Sequence, residues 1–488
     1  MNNVEENLNS NNVITLKEND RKLTQAYLAE IAKTIYKSKL RWNFSEKCWH
    51  CHDVESGLWV KIGKNEVHGL LLKILSEMRN GESEKVKQSG SVRSSALHEI
   101  ERAENANFLS GTEKILQSHE ELMMEACVFD ADKYLVGLEN CQCLDLRTSI
   151  IRKIKDTDYI TKRINTPFLE DANCDLWEKS VLECCRGDEE LARFLQIWSG
   201  YCLSGLTDFQ GFLFLYGSGR NGKSVFLNIM AKLLGPYAIA IKSDTLMQKS
   251  PTSGASGDIA RLNGARFVTC NELPEGKHFD EELLKSITGQ DTITARFLYG
   301  NDFNFKPTLK LMISGNHTPV IKGTDEGIWR RVNVVPFLAK IEKIDPNLTD
   351  KLESELPGIL NWCIEGWKLY QLKGIEIPRA VTNETSKYRS DMDVIGQWVD
   401  DCLDDAFGMR LHLKDMYSSY QHWCKENGFR IITSKAFNRK LKEGRFGEPS
   451  RSSEGYYYSG FKLKSLRFSG CGSDNDVVEY DPDCNFFK

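Results

Sequence analysis

GFLFLYGSGRNGKS, residues 211–224, is the stretch on which the architecture turns. Residues 211–216 are a short apolar run bounded by glycines, as a strand buried on both faces of a parallel sheet should be. It runs into Gly217-Ser218-Gly219-Arg220-Asn221-Gly222-Lys223-Ser224, which satisfies G-x-x-x-x-G-K-[ST] at every position. Glycines let such a loop curl until successive backbone N–H groups face inward and cradle phosphate oxygens. The helix expected from Lys223 adds the positive end of its dipole. In this chemistry Lys223 reaches the terminal phosphates of ATP and the Ser224 hydroxyl sits on Mg²⁺. The strand-then-helix setting is what separates this motif from an accidental glycine turn. The apolar segment Val225 to Leu234 stops at Gly235-Pro236, a good helix terminator.

Working outward, Arg266 to Cys270 and Leu309 to Ser314 are two more short apolar runs separated by helical stretches, which implies a parallel α/β sheet. A phosphate loop needs a carboxylate to polarise water, and Glu272 stands at the carboxyl end of the first of these runs, the end that faces the ligand crevice in open α/β sheets. Glu272 is therefore the expected base and metal partner, although alone it would read as a surface loop residue. Asn271 occupies the place of a second acid. The third strand runs into Gly315-Asn316-His317-Thr318-Pro319, where the Asn316 amide can hydrogen-bond a phosphate or the attacking water; an ordinary turn asparagine is the plainer reading. Trp329-Arg330-Arg331 follows, and a guanidinium reaching a neighbouring subunit's phosphates would need such an arginine.

Composition bounds the rest. The 488 residues are 41% hydrophobic, 10% aromatic and 27% charged, which excludes a disordered, collagenous or low-complexity chain and suggests about three domains. A net charge of −5 argues against coating nucleic acid by bulk charge, while leaving room for a local basic channel. No apolar run approaches the roughly 18 residues that span a bilayer, and MNNVEENLNSNN has neither the basic nor the apolar region of a secretory signal. Fifteen scattered cysteines read as reduced thiols of a cytoplasmic protein.

Six segments are expected: a flexible 1–22, a mainly helical N-terminal domain over 23–208, the P-loop domain over 209–372, a linker over 373–387, a DNA-binding domain over 388–467 and an acidic tail over 468–488. Helical spacing recurs at Leu28, Ile31 and Ile35, at Val67 to Met78, and at Leu191, Phe194 and Ile197, whereas Tyr134 to Arg147 suits short strands. In the last domain, helical patterns run through 394–403, 413–424 and 434–441. Tyr456-Tyr457-Tyr458 and Phe461-Lys462-Leu463 then suggest a hairpin, which with three helices suits a winged helix-turn-helix. Lys435, Arg439, Lys440, Lys442 and Arg445 cluster on and after its third helix, a basic face for duplex DNA or simply a solvated one.

The ordered motifs resemble the helicase part of the phage and plasmid primase-helicase family, members of helicase superfamily III. The resemblance runs through LQIWSGYCLSG (195–205), FLYGSGRNGKSVFLNIMAKLLGPYA (214–238), SGASGDIARLNGARFVTCNELPEG (253–276), LLKSITGQDTITARFLYGNDFNFKPTLKLMISGNHTPVI (283–321) and GTDEGIWRRVNVVPF (323–337), about 150 residues in all. LVGLENCQCLDLRTS (135–149) also resembles the region preceding the motor, with Cys141 and Cys143 near where glycine is expected. The resemblance implies an AAA+-like ring, a hexamer, with ATP between subunits. Lys223 and Ser224 take the phosphate and metal roles, Glu272 the catalytic acid, Asn316 the sensor, and Arg330 or Arg331 the trans-acting finger, Arg330 being preferred. The family's DNA-gripping hairpin maps to Arg296-Phe297-Leu298-Tyr299-Gly300-Asn301, with Lys306 and Lys285 nearby. Cations there would track a phosphate backbone and aromatics would stack on bases, or Phe297 and Tyr299 would merely pack on the core.

Cys48-Trp49-His50-Cys51-His52 invites a zinc reading, yet no second tightly spaced pair accompanies it, and Trp49 and Trp59 read as core aromatics. No primase module is recognised, so primer synthesis is expected from a separately encoded primase or polymerase. The expectation is thus an ATP-dependent helicase of a mobile element in a bacterial cytoplasm, acting on single-stranded and forked DNA. Its rivals are an ATP-controlled origin-binding initiator and a structural or signalling ATPase.

Overall fold

Thr24 opens the first helix by accepting the Tyr27 amide on its hydroxyl at 3.2 Å. The computed structural model describes residues 22–89, 95–248, 257–273, 276–297, 301–321, 326–342, 345–444 and 446–464. The expected flexible N-terminus (save Lys22) and acidic tail lie outside them. Contacts divide the chain into two units, one of 1–319 with 330–382, the other of 320–329 with 383–488.

The first unit begins with α1 (Gln25–Tyr36), then β1 (Leu40–Asn43), β2 (Cys48–His52) and β3 (Trp59–Ile62), α2 (Lys64–Ser89), α3 (Ser95–Ala103), α4 (Ala106–Leu116) and β4 (Met123–Met124). The strands form a sheet in the order β3-β2-β1-β4. Leu28, Leu71, Leu75, Met78 and Ile100 close one core beneath it. A three-stranded antiparallel sheet follows, β5 (Leu135–Leu138), β6 (Gln142–Asp145) and β7 (Ile150–Lys153), in the stretch that suited strands. Between β5 and β6, Asn140 and Cys141 both take left-handed backbone (φ 58° and 56°), which is where a tight hairpin favours glycine. Cys141 therefore bears that conformation as a non-glycine residue.

Two helices, α5 (Asp175–Cys184) and α6 (Glu189–Tyr201), come next. Their Trp177, Phe194 and Trp198 belong to the same apolar core as Leu213, Leu215 and Phe226. The boundary expected at 208/209 consequently runs through a continuous core. Apolar periodicity reports that a helix buries one face, not which partner covers it.

The central layer comprises β8 (Phe212–Tyr216), α7 (Lys223–Leu234), β9 (Ala238–Ile241), α8 (Ser243–Leu246), α9 (Gly257–Arg261), β10 (Phe267–Asn271), α10 (Glu281–Thr288), the hairpin β11 (Ile293–Arg296) and β12 (Asp302–Phe305), β13 (Lys310–Gly315), and, after α11 (Glu326–Trp329) of the second unit, β14 (Val332–Pro336). Five of these strands form a sheet in the order β14-β8-β13-β10-β9, every pairing parallel. Three were expected; β9 and β14 flank them. α12 (Leu348–Ser354) and α13 (Leu356–Lys373) complete the unit. α13 lies against α6 so closely that a Cβ on Gly200 would fall 2.1 Å from the Trp367 nitrogen, and one on Gly366 2.1 Å from the Gln196 oxygen.

The amino-terminal edge of the sheet holds two buried cations. Arg266 donates to the Leu203 and Leu135 carbonyls and faces the Tyr237 ring at 4.5 Å. Lys310 donates to the Ser204, Leu206 and Thr308 carbonyls and faces Tyr201 at 4.9 Å. Complete burial pushes the Lys310 ammonium down to about 7. These donors satisfy carbonyls left open after α6 ends and fasten that turn to the sheet.

α14 (Arg379–Met392) occupies part of the expected linker. In the second unit Arg389 pairs with Glu326 and Tyr388 meets Trp329 edge-on at 5.4 Å. There α15 (Val394–Cys402), β15 (Leu403–His412), α16 (Leu413–Glu426), α17 (Ser434–Glu443), β16 (Ser450–Ser452) and β17 (Gly455–Leu463) follow in order, the strands pairing as β15-β17-β16. Trp398, Met416, Tyr420, Phe437 and Leu441 fill the core. The hairpin expected between the two aromatic runs 456–458 and 461–463 is instead one strand, β17, which hairpins with β16. Gly460 (φ +89°) is a local kink facing a register shift between Asp405 and Arg410 of β15, so its turn-forming freedom serves a bulge. No helix of the described residues is long and apolar enough to cross a membrane.

Candidate functional site

The candidate phosphate loop is built between β8 and α7. Gly219 (φ 101°), Arg220 (φ 50°) and Gly222 (φ 84°) take left-handed backbone, the conformation that lets the chain wrap about an anion. Gly217 and Lys223 are buried, Ser218 is exposed, Asn221 is 3% exposed, and Ser224 is exposed in the first turn of α7. Lys223 donates from Nζ to Gly217 O at 2.6 Å, Asn221 Oδ1 at 3.0 Å and Asn316 Oδ1 at 3.2 Å. Desolvation lowers its pKa. A Cβ at Gly217 would sit 2.1 Å from Phe337 O and 2.2 Å from Asn221 Nδ2, so the loop closes only because that position is bare.

Two supports of the loop escaped the sequence reading. The segment after β14 straps it, Asn221 Nδ2 donating to Phe337 O at 2.7 Å and the Ile341 amide to Arg220 O at 3.1 Å. Beside Gly222, the Cys184 thiol, from the end of α5, would lie 2.2 Å from an added Cβ. No local pattern marks either, because both depend on segments remote in the chain.

The parallel register assembles the other candidates. Asn271 pairs with Ser314 and Gly315 with Tyr216, so the carboxyl ends of β10, β13 and β8 bring Glu272, Asn316 and the loop to one edge. The Glu272 amide donates to Ser314 O at 3.2 Å, and its backbone is left-handed (φ 58°). A non-glycine residue held there stores strain of the kind found at functional sites. Its carboxylate is exposed, able to accept a proton or hold a cation.

Arg330 and Arg331 lie elsewhere. Phe212 donates its amide to Arg331 O at 2.8 Å, which puts the pair at the amino ends of β8 and β14, the opposite edge from Gly217. Arg331 is 8% exposed, whereas Arg330 is exposed. Neither guanidinium joins the loop of its own chain.

Among the DNA candidates, Arg296 pairs with Asp302 across the β11–β12 hairpin at 3.8 Å. Phe297 is 49% exposed and stacks on Phe303 at 5.6 Å. Tyr299 lies outside the described residues. Lys306 is exposed and Lys285 half-buried on α10. On α17, Phe437 and Leu441 face the core, leaving Lys435 and Arg439 exposed and Lys440 half-buried; Arg439 pairs with Glu443 at 3.7 Å. Arg445 lies outside the described residues.

Strand β2 sorts the cysteine-histidine run onto two faces, because alternate residues point oppositely. Cys48 and His50 share one with Glu46 nearby, Cys51 the other, so C-x-x-C spacing does not chelate here. Lys61 lies 3.5 Å from Glu46 and supplies its counter-charge.

Three family models match separate stretches of the chain. Residues 29–186 match a family described as D5 N terminal like, 215–331 a family of unknown function, DUF5906, and 390–463 a poxvirus D5 protein-like family. A putative helicase, L207/L206, of Acanthamoeba polyphaga mimivirus is 30% identical over 336 residues, 64% of this chain and 34% of that one. Putative helicase 022R of Frog virus 3 is 29% identical over 236 residues, 44% and 24% of the respective chains. Primase D5 of Fowlpox virus is 26% identical over 141 residues, 28% and 17% of the two chains. The chain thus spans about a third or less of the length of these relatives. Among solved structures, the apo C terminal region of NrS-1 shares the fold at 11% identity and a TM-score of 0.52, covering 90% of this chain and 99% of that one. Residues 29–186 and 390–463 are thus similar to two D5-like families, and the relatives that match along the chain are named putative helicases and primases of large DNA viruses.

Proposed function

We propose that this chain is an ATP-dependent DNA helicase that binds single-stranded and forked DNA and unwinds the duplex during replication of a viral or other mobile genome. The observation that carries the reading is the convergence of Lys223, Asn221 and Asn316 at the mouth of a phosphate loop, with Glu272 at the neighbouring strand end. A bound Mg²⁺, held by Ser224 and Glu272, would draw charge from the phosphates. Lys223 neutralises the terminal phosphates, the exposed Glu272 carboxylate accepts a proton from water, and Asn316 orients the attack.

The fold supports an AAA+-like motor through its parallel P-loop sheet. Arg330, exposed on the edge away from its own loop, suits a finger offered to a neighbouring subunit in a ring, which we take to be a hexamer. The half-exposed Phe297 on the β11–β12 hairpin suits stacking against unpaired bases. In the second unit the succession α15, β15, α16, α17, β16, β17 suits a winged helix, with Lys435, Arg439 and Lys440 as its duplex-facing cations.

Strand displacement on a forked duplex tests the proposal. Unwinding by the native chain with ATP and Mg²⁺, lost in Lys223→Ala, is the expected result. ATP-controlled binding without unwinding would favour the initiator reading, and DNA-insensitive hydrolysis a structural ATPase.

A further inference from the structure

Strand β2 carries a cluster that nucleotide chemistry does not use. Alternate residues of a strand share a face, so Cys48 and His50 project together, and the β1–β2 turn brings Glu46 beside them. The carboxylate oxygen, thiol sulfur and ring nitrogen of these three side chains all lie within 4.8 Å of one another. Cys48 Sγ stands 3.6 Å from Glu46 Oε2 and 4.0 Å from His50 Nδ1. Around a tetrahedral zinc with bonds of about 2.0–2.3 Å, donors sit roughly 3.3–3.6 Å apart. The cluster is therefore near ligating geometry before any ion arrives. Glu46, the exposed member, has the freedom to close the remaining gap.

The donors are held in place by their neighbours. His50 is buried and its ring stacks on Phe129 at 4.1 Å. The Glu46 amide donates to Asn43 Oδ1 at 3.1 Å, and Asn43 is itself buried and in register with Cys48. Ligands ordered beforehand lose little freedom on binding. A cation already stands in the place of a metal: Lys61, opposite His50 on β3, sets its ammonium 3.5 Å from Glu46 Oε2. The Lys61 side chain is exposed and can swing into solvent. Arg41, opposite His50 on β1, is engaged with the Lys37 and Leu40 carbonyls.

One sulfur, one imidazole nitrogen and one carboxylate oxygen suit an ion of borderline softness, whereas Mg²⁺ and Ca²⁺ take oxygen donors. We propose that Glu46, Cys48 and His50 bind one zinc ion, with water in the fourth position. On binding, the Cys48 thiol releases its proton to solvent. The thiolate, the Glu46 carboxylate and the Nδ1 lone pair of His50 then bond the metal, and Lys61 leaves Glu46. Cys51 takes no part, because it points to the other face of β2. Three protein donors and one open position make an exchangeable site rather than a closed structural one.

The test is titration of the full chain with cobalt(II), whose bond to a thiolate gives a near-ultraviolet charge-transfer band, followed by displacement with zinc. The native chain should develop the band with one equivalent and lose it to zinc. Cys48→Ser should abolish it. Glu46→Gln should keep the band while weakening zinc by at least the roughly tenfold that outer partners of a metal site are worth. Both changes keep size and fall at half-buried or exposed positions, so folding is not threatened. Cys51→Ser should alter neither band nor affinity. Lys61→Ala should tighten zinc severalfold by removing a competing charge, a gain that a merely structural ion pair would not yield. Absence of the band in the native chain or its survival in Cys48→Ser overturns the proposal. Loss of the band in Cys51→Ser overturns it in favour of the paired cysteines. Zinc held no tighter by Lys61→Ala overturns the exchange of ammonium for metal. Mg²⁺ favours oxygen over thiolate, so these readouts stand apart from the phosphate loop and from unwinding.

Discussion

Lys223 Nζ and Asn316 Oδ1, 93 residues apart in sequence, lie 3.2 Å from one another. With Gly217 O and Asn221 Oδ1 they give the ammonium three acceptors for its three protons. A phosphate entering the loop must take over at least one of these bonds. Asn316 is exposed while Asn221 is buried and strapped to Phe337, so Asn316 is the partner free to be exchanged. Release of Asn316 from Lys223 would then accompany nucleotide binding and leave the amide available to the reacting water.

Asn316→Ala should separate binding from turnover. Losing one oriented polar group lowers kcat by about 10²-fold, while nucleotide affinity stays within a few fold. Lys223→Ala should lose nucleotide binding itself. Fluorescent nucleotide titration and phosphate release measure the two quantities, and an undiminished kcat in Asn316→Ala would remove the amide from the reaction.

Glu272 combines strain with chemistry. Glu272→Gln keeps size and shape, so nucleotide binding should persist while kcat falls by about 10²- to 10⁴-fold. Glu272→Gly should abolish turnover yet raise stability by up to about 1 kcal/mol, because glycine relieves the φ of 58°. Thermal unfolding of the two variants reads the strain directly. A lower Tm for Glu272→Gly than for Glu272→Gln would show that the left-handed backbone carries no cost.

The adjacent arginines should behave differently. Arg331 is buried, and Arg331→Ala should destabilise the fold by about 1–3 kcal/mol in chemical denaturation. Arg330→Ala should leave stability within about 0.5 kcal/mol and abolish hydrolysis. Mixing Arg330→Ala with Lys223→Ala subunits should restore part of it at hybrid interfaces. Intact assembly with no recovery would place the finger elsewhere.

Lys310 predicts a pH dependence. Its ordinary value of 10.5 drops to about 7 in the fold through burial. Between these limits the unfolded chain keeps a proton that the folded chain has lost, so this group makes stability rise with pH from about 7 upward and is level below it. The stability of the native chain relative to Lys310→Met should therefore increase between about pH 7 and 10. A constant difference would mean that the ammonium stays charged among its three carbonyls throughout.

The P-loop and its strand were legible because they are local: an apolar run, glycines and a lysine at fixed spacing declare strand, turn and helix without reference to distant residues. β10 and β13 were legible for the same reason, whereas β9 and β14 were not read as strands. AIAI is too short to separate from loop or helix by periodicity, and VNVVP is broken by a polar Asn and ends in Pro, so it does not stand out as an apolar run. The hairpin expected around Gly460 failed because a glycine's freedom serves a turn or a bulge equally, and only the bulge in β15 across from it decides which.

Residue order by itself determined the chemistry on offer: an anion-cradling loop, an acid and an amide at strand ends, and paired arginines beyond them. Tertiary structure alone decided how they are deployed. Parallel pairing of β8, β13 and β10 brings Asn316 and Glu272 to the loop, since strands in register align their carboxyl ends regardless of separation in the chain. The same sheet carries Arg330 to the far edge, Arg331 is buried, and the packing of α5 sets Cys184 against Gly222. These relations depend on which segments become neighbours when a common core excludes water, and no local pattern encodes that choice.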